Sequence, residues 1–290
     1  MAGIPFPCAA EPDVIEPEMV EIPAGPVVFG SSGDERAAYF VSPGEYAAET
    51  VALATFAIGK YEVTNEEYAC FIRGGGYEKR EWWSEEGWRA RAQNQWTAPR
   101  RWNDRDYQGP GKERYPVAAV SWYEAEAFCT WLRVQIGKPY RLPTEREWEK
   151  AARGEDGRVF PWGNAWDPDA CNWFGYTGFD APAGYAPDPY VRVSPVGAFP
   201  KGQSPWGCQD MAGNVLEWCQ DAWTAGHAAA FQGPYRVFRG GSFLNNQPRH
   251  LRCAWRGGTY PGLGHVYWGD TGFRVALSVQ GRMPKLSSSN

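Results

Sequence analysis

The chain has 290 residues, of which 45 are aromatic (16 Trp, 15 Tyr and 14 Phe) and 58 are Gly or Pro. This aromatic content excludes intrinsic disorder, and so many helix-breaking residues without a three-residue period exclude helical bundles, coiled coils and collagen. The net charge of -5 is uneven, because residues 1–59 carry nine acids and one basic residue whereas residues 231–290 carry eight basic residues and one acid. The basic segment predicts either affinity for anions or ion pairs with acids elsewhere in the fold. The chain lacks a Lys/Arg run, so nucleic acid is not expected as a partner.

The first elements follow an N-terminal arm, residues 1–18, which is rich in Pro and acidic residues. The stretch MVEIPAGPVVFG, residues 19–30, then indicates two short strands around a turn.

Three helices are predicted by capping boxes. In a capping box, the hydroxyl of the residue before the helix and the carboxylate of the residue three positions later accept hydrogen bonds from free backbone amides at the helix start. The pairs are Thr64 with Glu67, Ser121 with Glu124, and Thr144 with Glu147. The second helix has an apolar face and should end at Gly137, and the third should end near Gly154.

Helical periodicity disappears beyond residue 155, where short strands are predicted at Val193–Phe199, Tyr235–Arg239 and Phe273–Ser278 within long irregular stretches. A linker that would divide the chain is not evident, so we expect a single domain over residues 19–280 and a tail over 281–290. Seven scattered cysteines without CxxC pairs argue against structural zinc and a disulfide framework. Neither a signal peptide nor a membrane span is recognisable, and we expect a cytoplasmic monomer.

Eight motifs occur in a distinctive order along nearly the whole chain. They are MVEIPAGPVVFG (19–30), IGKYEVTNEEY (58–68), YPVAAVS (115–121), YRLPTEREWEKAAR (140–153), FPWGN (160–164), GCQDMAGNVLEW (207–218), RGGSF (239–243) and TGFRVA (271–276). This order resembles the formylglycine-generating enzyme, or sulfatase-modifying-factor, family. The resemblance implies an α+β, C-type-lectin-like fold with a small mixed sheet, few helices and long loops with little regular secondary structure.

The resemblance also locates the family's catalytic positions, where two thiols flank a copper-binding position. Those positions fall on Asn245 and His250, and neither residue supplies a thiolate. Formylglycine-generating chemistry is therefore not expected, nor is copper or iron, and nearby Cys253 is expected to be a core thiol. The alternative is a metal-dependent oxidoreductase with an altered site, for which His250, His265 and Asp270 could form a two-histidine, one-carboxylate set.

Structural calcium sites of the family are the second property that the resemblance implies. The first set comprises the side chains of Asn172 and Asp188 with carbonyls near Trp173 and Tyr190, and the second comprises the side chains of Asp210 and Glu217 with carbonyls near Gly213 and Val215. Calcium prefers such oxygen ligands. The alternative is that Asp210 and Glu217 are surface or capping acids.

Residues 243–270 combine aromatic, Arg, Asn and Gly residues in the manner of a binding surface. The segment resembles the diversified region of the variable proteins of diversity-generating retroelements, which share this fold, lack the catalytic cysteines and vary residues here to bind ligands; residues 239–276 would be the variable segment. We therefore expect a non-catalytic protein that binds a protein or another macromolecule. The candidate ligand-binding residues are Asn245, Asn246, His250, Arg252, Trp255, Tyr260, Leu263, His265, Tyr267, Trp268 and Asp270. Diversification of that type does not produce Trp, so Trp255 and Trp268 would be constant. The alternative for Trp255, Tyr267 and Trp268 is that they fill the core.

Overall fold

The computed structural model describes residues 14–39, 41, 44–173, 190, 192–224, 234–262 and 269–279. Its helices are α1 (Gly33–Ala38), α2 (Asn65–Arg73), α3 (Glu85–Asn94), α4 (Trp122–Ile136) and α5 (Glu145–Arg153). Its strands are β1 (Met19–Ile22), β2 (Gly25–Phe29), β3 (Glu49–Leu53), β4 (Phe56–Gly59), β5 (Tyr140–Arg141), β6 (Leu216–Ala222), β7 (Arg236–Arg239), β8 (Arg256–Thr259), β9 (Thr271–Gly272) and β10 (Ala276–Ser278).

The capping boxes confirm the three predicted helices, because α2, α4 and α5 begin directly after Thr64, Ser121 and Thr144, with both reciprocal hydrogen bonds present in each box. Helix α4 ends at Gly137, whose φ of 74° is left-handed, as expected for a glycine cap. A fourth capping box, at Ser32, starts the six-residue helix α1, which was not predicted.

Two four-stranded sheets and a two-stranded ribbon form the scaffold. The first sheet has the order β1-β4-β10-β5 and joins strands from both ends of the chain, and the second has the order β8-β7-β6-β9. The contact between β6 and β9 is parallel and the other pairings are antiparallel. Strand β7 leads directly into the Gly240–Gly241 turn, so the second sheet holds one edge of the region predicted to bind ligands.

The strand predicted at Val193–Phe199 is wrong. This segment is irregular, because Pro195 has no amide to donate and Gly197 adopts a φ of 76°. The strand predicted at Tyr235–Arg239 is confirmed as β7, and the strand predicted at Phe273–Ser278 is regular only over β10.

Packed aromatic rings make up much of the main core. Tyr68 on α2 stacks on Phe128 of α4 at 5.4 Å between ring centroids, and Phe273 contacts both rings edge-on. The six described cysteines are also buried. Burial raises the pKa of Cys208 to about 11 and that of Cys253 to about 12, so these thiols stay protonated. The expectation that Cys253 is a core thiol is confirmed.

The basic C-terminal segment meets acidic residues inside the protein. Arg239 donates to Glu145 and Glu149 at 2.6 Å each, and Arg274 forms a two-pronged pair with Glu217 at 2.6 and 2.7 Å. These arginines are completely buried. Of the two explanations for the charge asymmetry, internal ion pairing is therefore the one that Arg239 and Arg274 follow. Every described helix is too short or too polar to span a membrane.

Candidate functional site

The turn after β7 brings together the Asn245 side chain and the His250 backbone, the two positions where the resemblance predicts the family's catalytic thiols. Gly240 and Gly241 have φ values of 88° and 70°. A Cβ atom on Gly241 would lie 2.7 Å from the His250 carbonyl oxygen and 3.0 Å from Asn245 Oδ1. Only glycine therefore allows Asn245 and His250 to approach the same point of the backbone.

Asn245 serves partly as a turn residue. Its Oδ1 accepts a hydrogen bond of 2.7 Å from the Ser242 amide, and its own amide donates to the Ser242 carbonyl at 3.0 Å. The Nδ2 group makes no hydrogen bond within the described part of the chain, and the side chain is partly exposed. Asn245 thus offers a hydrogen-bond donor at a fixed position.

His250 is half-buried and held in one protonation state. Arg249 Nε donates to His250 Nε2 at 3.2 Å, so the remaining ring proton belongs on Nδ1. Burial, followed by the charges of Arg249 and Arg252, lowers the pKa of His250 below its usual value. The Nδ1 atom is buried without a hydrogen-bond partner among the described residues. His250 is therefore a neutral donor near pH 7.

Trp255 forms the wall beside His250, with the two ring centroids 5.6 Å apart. The indole also packs against Phe238 of β7 at 6.0 Å and against the main core. Trp255 therefore does part of what the core-filling alternative predicted, while it remains partly exposed. We call Asn245, His250 and Trp255 the Asn–His–Trp site.

Two residues predicted to face a ligand are buried instead. Arg252 is completely buried, because its guanidinium donates to both oxygens of Glu45 at 2.8 and 2.9 Å. Asp270 is 3% exposed and accepts a hydrogen bond of 2.7 Å from Ser242 Oγ. The prediction that these two side chains belong to an exposed ligand surface is wrong, since both support the loops from inside.

Of the remaining predicted residues, only Asn246 and Tyr260 belong to the part of the chain that the structure describes. Asn246 is exposed, and Tyr260, at 44% exposure, packs edge-on against Tyr235 at 4.7 Å. The other predicted residues, Leu263, His265, Tyr267 and Trp268, lie outside the described residues.

Sequence reasoning missed a contribution from residues 101–107. Tyr107 packs against Phe243 at 6.3 Å, and Arg192 donates to its hydroxyl at 3.3 Å. A Cβ on Gly269 would lie 2.9 Å from Arg101 Cγ, so this segment lies beside the residue that precedes Asp270. The mixture of aromatic and charged residues in WNDRDY (102–107) is the sequence feature that indicates such a contribution, but it does not identify the residues that this segment contacts.

The first predicted calcium set is only partly described, because Asp188 lies outside the described residues. Asn172 directs its amide group to the Arg192 carbonyl at 2.7 Å and to Asn214 Oδ1 at 3.2 Å. Trp173 is buried, and the Tyr190 ring packs against Tyr115.

The second predicted calcium set has its carboxylates committed to protein groups. Glu217 pairs with Arg274 and also accepts a hydrogen bond of 2.7 Å from Trp148 Nε1, while Asp210 accepts one of 2.6 Å from the Gly197 amide. Both acids are buried, so the alternative that they are surface acids is wrong. Gly213 and Val215 lie in the loop between them. Within the described ranges no group of three or more His, Cys, Asp or Glu side chains is placed to hold a metal ion. Calcium stays a prediction.

Comparisons with known proteins establish the family of the chain and support its fold. A family profile described as "Sulfatase-modifying factor enzyme 1-like domain" matches residues 7–279. The fold and the position of the loops define a C-type-lectin-like protein of the formylglycine-generating-enzyme type. The chain belongs to the sulfatase-modifying-factor family.

Relatives within this family differ in the activity that their names state. The chain is 34% identical to hercynine oxygenase of Mycolicibacterium smegmatis, over 96% of this chain and 64% of that protein. It is also 34% identical to the formylglycine-generating enzyme of Thermomonospora curvata, over 91% of this chain and 95% of that protein. The chain covers 46–64% of the length of three hercynine oxygenases that it matches.

Solved structures share the fold. PvdO from Pseudomonas aeruginosa superposes with a TM-score of 0.67 at 27% identity, over 94% of this chain and all of that one. Treponema denticola variable protein 1 superposes with a TM-score of 0.60 at 22% identity, over 89% of this chain and 94% of that one. The second likeness concerns the fold alone.

Proposed function

We propose that this protein binds a ligand at the Asn–His–Trp site and at the adjoining loop surface, without formylglycine-generating chemistry. The observation that carries the proposal is that the Asn245 side chain and the His250 backbone meet at the Gly241 turn, with the His250 ring against Trp255. Thiols are replaced there by two neutral hydrogen-bond donors beside an indole wall. Such a combination suits recognition of an acceptor-bearing ligand.

The proposal includes diversification as a source of ligand specificity. The fold shared with a variable protein supports it, as does the exposure of Asn246 and Tyr260. Asp270 is left out of the variable positions, because its bond to Ser242 is part of the support beneath the loops. A near-identical repeat of the coding region for residues 239–276 beside a reverse-transcriptase gene would support diversification, and its absence from the genome would remove this part of the proposal.

Binding itself is tested by a fragment screen followed by nuclear magnetic resonance. The indole N–H signal of Trp255 is assigned by its loss in Trp255→Phe, and the expected result is that ligands shift this signal more than the signals of the other indoles. Fragments that leave it unmoved while they shift indoles remote from the site would contradict the placement.

A metal-dependent oxygenase is the second candidate, and the match to hercynine oxygenases over most of this chain favours it. In that case His250 would contribute an imidazole to the metal. Its Nδ1 could coordinate a metal only after the ring proton moved to Nε2, which would break the hydrogen bond from Arg249. Titration with Fe(II) or Cu(I) separates the two candidates: the binding proposal expects no stoichiometric uptake that depends on His250, and uptake abolished by His250→Ala would favour the oxygenase.

A further inference from the structure

A cavity of about 310 Å³ lies between α4, β5 and the adjoining ends of β6 and β7, away from the Asn–His–Trp site. Its lining includes three guanidinium groups, those of Arg133, Arg141 and Arg236, together with Glu126 and apolar surface from Trp122 and Leu142. The volume falls at the lower end of the range for small-molecule sites.

The three arginines differ in what balances their charge. Arg141 is neutralised by Glu147, to which it donates two hydrogen bonds of 2.7 and 2.6 Å. Arg236 stacks on Trp122 at 3.9 Å and donates to the Gln220 carbonyl at 3.0 Å, which fixes the guanidinium without an ion pair. The guanidinium of Arg133, an exposed residue in the last turn of α4, forms neither an ion pair nor a hydrogen bond with any described residue.

Glu126 limits the negative charge that a ligand in the cavity can carry. It accepts a hydrogen bond of 2.7 Å from Ser84 Oγ and lies close enough to Arg236 for the two charges to interact. Among the described residues Arg141 pairs with Glu147 and Arg236 interacts with Glu126, which also lies near Glu86, so Arg133 is the lining guanidinium that has no acid of its own. Residues 126 and 133 lie on one face of α4, separated by about 10 Å along the axis. An anion near Arg133 can therefore avoid Glu126, whereas a second negative charge would meet repulsion.

We propose that this cavity binds a small organic monocarboxylate, with its carboxylate at Arg133 and its hydrocarbon part against Trp122 and Leu142. Arg236, held by its stack on Trp122, supplies a second group of donors. This proposal does not depend on the function proposed for the Asn–His–Trp site, because it involves none of that site's residues.

Isothermal titration with benzoate tests the proposal, with benzamide as the uncharged analogue and inorganic phosphate as a probe with higher charge. Benzoate is expected to bind at least about ten-fold more tightly than benzamide, since hydrogen bonds to charged groups contribute about 1.5–3 kcal/mol. Phosphate is expected to bind more weakly than benzoate at the same ionic strength.

Matched arginine variants provide the control. Arg133→Gln should weaken benzoate at least about ten-fold and leave benzamide unchanged, whereas Arg89→Gln, which changes an exposed arginine on α3, should alter neither. The proposal is overturned if benzoate at a concentration on the order of 10 mM gives no binding heat, or if benzoate and benzamide bind with equal affinity. It is also overturned if phosphate binds more tightly than benzoate, or if Arg133→Gln and Arg89→Gln have the same effect on benzoate binding.

Discussion

Replacement of Arg252 by methionine gives the sharpest test of how the basic C-terminal segment is used. Its guanidinium donates to both oxygens of Glu45, to Ser31 Oγ at 3.3 Å and to the Arg249 carbonyl at 3.0 Å, and it has no exposed surface. Arg252→Met removes the ion pair from the buried Glu45 carboxylate, which keeps the hydrogen bond from Ser31 Oγ. Removal of one member of a buried ion pair costs about 3–5 kcal/mol.

Urea unfolding followed by tryptophan fluorescence measures this loss. Arg89→Met is the matched control, because Arg89 has a side chain that is 69% exposed and, among the described residues, pairs with Glu85 on the same helix. We expect a change below about 1 kcal/mol for the control. The double variant Arg252→Met/Glu45→Gln should be more stable than Arg252→Met alone, since the uncompensated charge is gone.

A ligand-binding role for Arg252 predicts a different pattern. Arg252→Met would then lower affinity for a ligand and leave the free energy of unfolding within about 0.5 kcal/mol of the parent protein, as is usual for surface substitutions. That result, or a double variant no more stable than Arg252→Met, would refute the reasoning from burial.

Three further predictions concern protonation and backbone conformation. The pKa of His250 is lowered in the folded protein, so the contribution of its neutral form to stability is present above the pKa of the unfolded chain, about 6.5, and is lost as pH falls. An NMR titration of the imidazole should find the neutral Nδ1–H form at pH 7. A titration midpoint above the pKa of the unfolded chain would contradict the account. Glu124 is fully buried and accepts a hydrogen bond of 2.5 Å from Tyr77, and burial raises its pKa to about 7. The stabilising contribution of protonated Glu124 is therefore complete below about pH 4.5 and is lost as pH rises through 7, with a magnitude of about 3 kcal/mol. Glu124→Gln should flatten the dependence of the free energy of unfolding on pH between these values. An unchanged slope of that dependence would count against the prediction. Gly241→Ala should destabilise the fold by about 1–2 kcal/mol or more, because φ is 70° and the new Cβ meets the His250 carbonyl; Gly111→Ala, at a similar φ of 82° but with open space around it, separates the backbone cost from the contact in thermal unfolding.

Local chemistry made the helices predictable from sequence. The boxes at Thr64, Ser121 and Thr144 depend on residues three positions apart, and the structure contains the corresponding bonds. The capping box at Ser32 was not predicted, because α1 is only six residues long and has no apolar periodicity. Val193–Phe199 was predicted as a strand because its apolar residues have a strand-like pattern, but Pro195 and Gly197 prevent a strand from forming there.

The candidate site could be predicted only in part. Motif order located Asn245 and His250, and the turn at Gly241 brings them together. Sequence could not show that Arg252 would meet Glu45, 207 positions away, or that Asp270 would bond Ser242. Such partners depend on tertiary packing, so an arginine that lines a surface and one that pairs with a buried acid look alike in the sequence.

The central claim, that the Asn–His–Trp site binds ligands through neutral donors, is tested most directly by one affinity ratio. The tightest ligand from the fragment screen is titrated into His250→Ala and into Asn246→Ala, which changes an exposed neighbouring residue. The account predicts that loss of the buried Nδ1–H donor weakens binding about ten-fold or more, while Asn246→Ala has less effect on a small fragment. Equal affinity of the His250→Ala variant and the parent protein would contradict it.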